Sequence, residues 1–342
     1  MITSIKTVEE LEERLSRPTA AAVSAMAALD GDLLILGAGG KMGPSLCVLA
    51  RRAADQAKVN KRIIAVSRFA DNNARRELSS QNIETIACDL LEPGELGKLP
   101  DVKNVIFMAA RKFGTTGSAH LTWAMNTYLP GLVAERYCKS RIVTFSTGNV
   151  YPLRPLHKGG AVESDPVDPQ GEYAQSALGR ERMFEYGSYK WGTLVTILRL
   201  NYAVELRYGV LADIGQAVFE RRPIDLRMGF VNVIWQGDAN SVCLRSFAHC
   251  QAPPLILNLT GPETLSVRHV AGELGRHFGI EPIFEFEETP TALLSDATKC
   301  HRLFGSPEVT PAEVVEWIAD WIRSDRPMLN KPTHFATRDG KF

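Results

Sequence analysis

The sequence predicts an α/β protein: a doubly wound parallel sheet covered by helices, followed by a smaller mixed lobe. Three observations carry this. Short apolar runs rich in Ile, Val and Leu alternate with helix-compatible stretches, the pattern of a parallel sheet buried on both faces. The first run, Leu33-Leu34-Ile35-Leu36, stops in the glycine loop Gly37-Ala38-Gly39-Gly40-Lys41-Met42-Gly43, and a helix-compatible segment begins at Pro44. Beyond residue 201 the alternation loosens into a less regular mixture.

Taken in order, residues 1–30 read as one or two helices packed outside the domain, with Glu9, Glu10, Glu12 and Glu13 ahead of an Ala-rich run. Strands are expected at 32–36, 62–67, 83–88, 105–108, 141–146 and 194–200, and helices at 44–57, 117–139 and 172–189. These make a first unit over 31–201. A smaller substrate lobe follows over 202–329, with helices at 213–219, 267–278 and 311–322 and short strands at 230–235 and 256–259. It is free to exchange segments with the first unit. Residues 330–342 form a polar tail with little to order it.

Bulk properties exclude several function classes. The 342 residues are 45% hydrophobic and 23% charged, and 39 basic side chains balance 39 acidic ones. No basic cluster stands out, so neither nucleic acid nor a membrane surface is an expected partner. No run approaches the ~20 apolar residues a membrane helix needs, and the acidic start does not match a secretory signal. Six scattered cysteines without a CxxC pair read as free thiols suited to a reducing cytoplasm. The seven histidines show no metal-ligand spacing, and no metal is predicted.

The glycine loop is the strongest functional signal. Glycines at 37, 40 and 43 allow a tight turn, close approach of a pyrophosphate and packing of the next helix on the strand. The helix N-terminus then presents free N–H groups and a positive dipole end to phosphates. Ligands of such sheets bind at the carboxyl ends of the strands, so informative residues should follow strands.

They do. After the third strand comes Cys88-Asp89-Leu90 and after the fourth Ala109-Ala110. Asn126 lies in a helix, Ser146-Thr147-Gly148-Asn149-Val150-Tyr151-Pro152 follows the fifth strand, and Tyr173 opens a helix. The later lobe carries Gly237-Asp238-Ala239, Asn258-Leu259-Thr260-Gly261 and Asp296-Ala297-Thr298-Lys299. Over residues 31–323 the chain resembles the extended short-chain dehydrogenase/reductase superfamily, the NAD-dependent epimerase/dehydratases, which have a Rossmann-type sheet.

The resemblance implies a nicotinamide dinucleotide held by Gly37, Gly40, Lys41, Met42 and Gly43, by Ala109 and Ala110, and by Leu200 and Asn201. It puts Asp89 on the adenine amine, with Leu90 flanking the ring. The residue ending the second strand faces the adenosine ribose. Here Ser67-Arg68 offers a hydroxyl and a guanidinium in place of a carboxylate, which suits a 2′-phosphate. Lys41 adds a second cation, so NADP(H) is favoured and NAD(H) is the alternative.

The resemblance also implies a tyrosine that exchanges a proton with the substrate, a serine or threonine that fixes the same oxygen, and a lysine one helical turn after the tyrosine. Tyr173 and Thr147 fit the first two roles. The lysine position holds Ala177. Arg180 stands about 10 Å further up the helix at 1.5 Å per residue, too far to substitute directly; Lys112 and Lys158 are loop cations that could reach the site instead. An enzyme acting by hydride transfer on a sugar or sugar acid is therefore expected, and the alternative is a dinucleotide-binding sensor without redox chemistry.

Nucleotide-sugar relatives end the sixth strand in Asn-Val-Tyr-Gly-Pro, whereas this chain reads Asn201-Tyr202-Ala203-Val204-Glu205. A free sugar, sugar acid or similar polyol-like carbonyl compound is thus as fitting as a nucleotide sugar. Arg207, Arg221 and Arg222 are candidate anion contacts weighed against plain surface charges, and His157 is a candidate proton carrier. A homodimer is expected through the helices at 117–139 and 172–189, which carry Leu121, Met125, Tyr128, Leu132, Leu178, Met183 and Phe184.

Overall fold

The computed structural model describes residues 4–70, 72–114, 117–331 and 333–341. At its centre lie seven parallel strands: β1 (Leu33–Leu36), β2 (Ile63–Ser67), β3 (Glu84–Ala87), β4 (Asn104–Phe107), β5 (Arg141–Thr147), β6 (Val195–Leu200) and β7 (Leu255–Leu259). Their spatial order is β7-β6-β5-β4-β1-β2-β3. Leu33 pairs with Ile63 on one side and Asn104 on the other, so the sheet order reverses between β1 and β4. Side chains of β1 alternate between two cores, Leu33 and Ile35 on one face and Leu34 and Leu36 on the other. Both faces are buried, which is why the strand reads as an unbroken apolar run.

Helices α1 (Val8–Leu15) and α2 (Ala20–Ala28) precede the sheet and start at Thr7 and Thr19, whose hydroxyls accept from Glu10 N and Ala22 N. They are not merely external. Leu11 and Leu15 enter the core of the smaller lobe, and Met26 enters that of the sheet. Helix α3 (Gly43–Gln56) covers one sheet face. The other is covered by a helix that is α-helical over Ala119–Trp123, π-helical over Ala124–Tyr128 and α-helical over Leu129–Arg136, and by α4 (Gly171–Trp191).

The smaller lobe holds α5 (Val210–Phe219), α7 (Val267–Phe278) and α8 (Pro311–Arg323) around a separate core. Between α5 and α7, helix α6 (Gln236–Arg245) packs beside α2 and α3, and β7 pairs with β6. Residues 236–259 thus return to the first unit, so the stretch expected at 256–259 in the small lobe is the edge of the main sheet. An apolar run of five residues does not say which sheet it completes.

The tail differs from expectation more sharply. Thr333 donates its N–H and hydroxyl to Asp213 Oδ2, at 2.8 and 2.5 Å. Arg338 donates to the carbonyls of Arg227 and Thr291, at 2.7 and 2.9 Å. Gly340 lies so close to Gln170 that a Cβ would fall 2.1 Å from its carbonyl oxygen. The segment is fastened across both units by partners more than 40 residues away in the chain, which local composition does not reveal. Pro332 and Phe342 of the expected tail lie outside the described residues.

Candidate functional site

The glycine loop leaves β1 at the point where the sheet order reverses. Gly37 has φ +92°, and a Cβ there would come 2.5 Å from Ala109 N, so only glycine lets the loop cross the end of β4. At Gly43 a Cβ would lie 2.2 Å from Ala38 O, which lets α3 start directly against the loop. No side chain caps the N-terminus of α3; Gly43 N donates to Gly40 O at 3.1 Å and Pro44 has no N–H, so the helix offers an anion its positive dipole end more than free donors. Ser67 Oγ sits where a Cβ on Gly39 would fall, 2.5 Å away, so the end of β2 touches the loop.

A cavity of about 310 Å³ opens beside this loop. It brings together Gly40, Lys41, Met42, Ala110, Thr147, Tyr173, Leu200 and Asn201 from five separate stretches of the sequence. Gly37 and Gly43 shape the loop from behind, and Ala109 packs against it. Arg68 and Asp89 stand apart at the ends of β2 and β3, 4.0 Å from each other, with Arg68 exposed. Asp89 Oδ1 accepts from Leu91 N at 3.1 Å. Leu90 is turned into the core, so it supports this loop and does not present a flat apolar face to a ring.

Thr147 ends β5. Its Oγ1 accepts from Asn149 N at 3.2 Å and Asn149 Nδ2 at 2.9 Å. With both lone pairs used, the hydroxyl proton is left for a partner in the cavity, whose wall Tyr173 shares. Burial raises the Tyr173 phenol above its ordinary range, while Arg180 and Thr147 pull it down. The phenol therefore keeps its own proton at neutral pH.

Two lysines line the same cavity. Lys41 Nζ sits 3.7 Å over the Tyr208 ring, and loss of water pulls its pKa down to about 7 despite Glu205. Lys112 Nζ lies 5.8 Å from the Tyr173 ring, and burial lowers it to about 8. Of the two loop lysines expected as replacements for the missing cation, Lys112 reaches the cavity; Lys158 and His157 are exposed on a 3-10 turn outside it. Arg180, set aside on distance, is buried in the cavity wall. A long helical side chain leans toward the helix N-terminus and covers the turn before its own Cα, so axial rise alone overstated the gap.

Behind the cavity, Arg199 and Glu181 form a buried two-pronged pair, with contacts of 3.0 and 2.7 Å. Glu181 also accepts from Ser146 Oγ, and Arg199 reaches Tyr151 Oη at 2.7 Å. Asn126 accepts from Arg111 N at 2.8 Å and donates to Arg111 O at 2.9 Å, pinning the loop after β4. The π-turn sets this buried amide toward that loop. The arginines of the small lobe are structural: Arg207 pairs with Glu205 and Glu12, and Arg222 with exposed Glu220. Arg221 takes a left-handed turn beside it. Asn149, within the motif after β5, also lines the cavity; Tyr208 and Thr333 line it without any sequence signal and arrive by long-range folding.

The model of the NAD dependent epimerase/dehydratase family matches residues 33–204. The chain belongs to this family. No curated protein sequence matches it. Among solved structures, a variant of UDP-glucuronic acid 4-epimerase from Bacillus cereus, in complex with a fluorinated UDP-sugar and NAD, is similar with a TM-score of 0.73. The two are 16% identical, and the match covers 86% of this chain and 99% of that one. UDP-glucose 4-epimerase of Thermotoga maritima with UDP-glucose gives 0.70 at 15% identity, covering 86% and 99%. Pal from Bacillus thuringiensis gives 0.71 at 17%, covering 86% and 100%. At these identities the likeness concerns the fold, which is the epimerase/dehydratase fold throughout. A dinucleotide fits the site of this family member on its own geometry: a glycine-rich loop packed tightly on the ends of β2 and β4, a helix N-terminus with no side-chain cap, and a buried lysine in the cavity wall.

The buried pair makes a stability prediction. Glu181→Leu leaves the Arg199 guanidinium uncompensated and should cost about 3–5 kcal/mol, whereas Glu181→Leu with Arg199→Leu should cost clearly less. Urea denaturation of the three proteins checks this; equal losses for the single and double variants would contradict it.

Proposed function

We propose that the chain is a nicotinamide-dependent enzyme of the epimerase/dehydratase type that acts on a sugar acid or related small sugar by hydride transfer. The observation that carries this reading is that Thr147 and Tyr173 stand together on the wall of the cavity that the glycine loop also lines. Gly37, Gly40, Lys41, Met42 and Gly43, with Ala109, Ala110, Leu200 and Asn201, would hold the dinucleotide, which supplies the hydride acceptor or donor. Thr147 donates to the oxygen at the reaction centre. Tyr173 gives its proton to a substrate carbonyl oxygen as it becomes a hydroxyl, or takes one in the reverse direction. Asn201, held by Asn232 at 2.6 Å, keeps a fixed amide on the opposite wall.

The substrate class follows from charge. Among the described residues the cavity lining carries Lys41, Lys112 and Arg180 and no carboxylate; Glu205 and Asp213 act on the lysines from outside the lining, and the balance favours an anionic substrate beside the cofactor phosphates. The epimerases similar in fold were solved with UDP-sugars. A substrate that long has to displace the C-terminal segment, because Thr333 lines this cavity; a sugar acid does not. For the cofactor, Ser67 and exposed Arg68 at the end of β2 support NADP(H), with NAD(H), present in similar structures, as the alternative.

We further infer a homodimer through the 119–136 helix and α4, where Leu121, Tyr128 and Tyr186 are 42%, 60% and 55% exposed. Phe184, expected on that face, is core, and Leu178 packs beneath the loop at Val150. Six free thiols suit the cytoplasm. None of the described helices is long and apolar enough to cross a membrane.

Tyr173→Phe and Thr147→Val should each lower turnover at least about a hundredfold, the usual worth of positioned proton transfer, with dinucleotide affinity nearly unchanged. Steady-state assays on uronic and aldonic acids, set against neutral sugars, check this; full activity in either variant rejects the reading. Dinucleotide affinity should weaken as pH rises through about 7. Lys41 loses its proton there when free, and a nearby phosphate restores it, so binding above that pH takes up a proton. Fluorescence titrations with NADPH and NADH across pH 6–9 should show this slope, Lys41→Met should flatten it, and NADPH should bind more tightly. Light scattering should give twice the chain mass, and Tyr128→Glu should shift it toward the monomer; a wild-type monomer rejects the dimer.

A further inference from the structure

On α4 the position one turn after Tyr173 is Ala177, fully buried and without charge. Seven residues separate Tyr173 from Arg180. At 100° per residue that is nearly two full turns, so the two share one face of the helix. The residues between them on this face are Ser176 and Ala177, both small and both buried. An arginine leaning toward the helix N-terminus therefore meets no bulky side chain on its way to the phenol.

The guanidinium is built into the wall. Arg180 is 3% exposed. Nη1 donates to Phe145 O at 2.7 Å, and Nη2 to Asn126 Oδ1 at 3.0 Å. Phe145 lies two residues before Thr147, and Asn126 sits on the π-turn of the facing helix. Nε is buried and makes no hydrogen bond, an arrangement costly for a structural arginine. Among the described residues no carboxylate forms an ion pair with it: neighbouring Glu181, whose charge acts on Arg180, is itself bound to Arg199 and Ser146.

We propose that Arg180 is the positioning residue that stands in for the cation absent at Ala177, facing the Tyr173 phenol from the next turns of the same helix and holding it in register with Thr147. This rests on the hydride-transfer reading of the site. The phenol responds accordingly, since Arg180 is the charge that draws its ionisation down against burial. The other ionisable groups near the phenol are Lys112 on the loop after β4, Lys41 on the glycine loop, and Tyr208 and Asp213 from the small lobe.

The test reads Tyr173 directly, without cofactor or substrate. Protein labelled with 3-fluorotyrosine, whose phenol is more acidic, is titrated by fluorine NMR, and the Tyr173 resonance is assigned with Tyr173→Phe. Arg180→Leu should raise the Tyr173 midpoint by about one unit or more, a tenfold smaller ionisation constant. Lys112→Met should raise it less. Adding Ala177→Lys to Arg180→Leu should bring the midpoint back and restore turnover in part. Arg180→Lys, which keeps the charge, serves if Arg180→Leu fails to fold by circular dichroism, and its midpoint should rise by less than one unit. An unmoved midpoint in folded Arg180→Leu, a larger shift in Lys112→Met, or no rescue by Ala177→Lys overturns the proposal. Because the midpoint needs no turnover, a wild-type protein inactive on every sugar acid but showing these shifts would defeat the functional reading alone.

Discussion

Arg199 and Glu181 face each other where water does not reach, so each charge is tolerated only because the other is there. Their geometry is demanding. The guanidinium fork must meet both carboxylate oxygens, while Ser146 and Tyr151 complete the remaining bonds. This ties β6 to α4 and both to the end of β5. Glu181 lies two turns beyond Tyr173, and Ser146 immediately precedes Thr147. The separation of phenol and threonine hydroxyl is therefore set by an ion pair that touches neither. A helix merely resting on an apolar sheet face could slide by fractions of a turn; one pinned by a buried charge pair cannot.

The site has the opposite electrostatic character. Among the described residues its wall gathers Lys41, Lys112 and Arg180 without a carboxylate, and two of these cations are pulled toward neutrality by loss of water. Such a pocket is poised for anions: it costs free energy when empty and regains it when phosphate or carboxylate arrives. The same imbalance explains how the fold can do without a lysine after Tyr173. The cation has moved along the helix into space left by Ser176 and Ala177, and a turn of π-helix opposite brings Asn126 to hold it.

Much of the molecule was legible beforehand, for local reasons. Strands buried on both faces must be apolar throughout, so six of the seven announced themselves within one or two residues. Gly37 and Gly43 are dictated by backbone sterics at single positions, and Thr147 and Tyr173 by the order of motifs along strands and helices. The place of the seventh strand and the order of the tail were not legible, for a different reason. β7 is an ordinary apolar pentapeptide whose sheet is chosen by what lies beside it. Thr333 and Arg338 become ordered through Asp213, Arg227 and Thr291, which are distant in sequence.

The amino-acid sequence alone determined the parallel sheet, the phosphate-compatible turn after β1, the Thr147–Tyr173 constellation and the absence of a lysine at 177, because each is written in residue type and near spacing. Only the tertiary structure decided which cation faces the phenol, how many cations share the cavity, and that the C-terminal segment forms part of its wall. Those features depend on side chains meeting across loops and between lobes, and the contacts are made by folding, not by proximity in the chain.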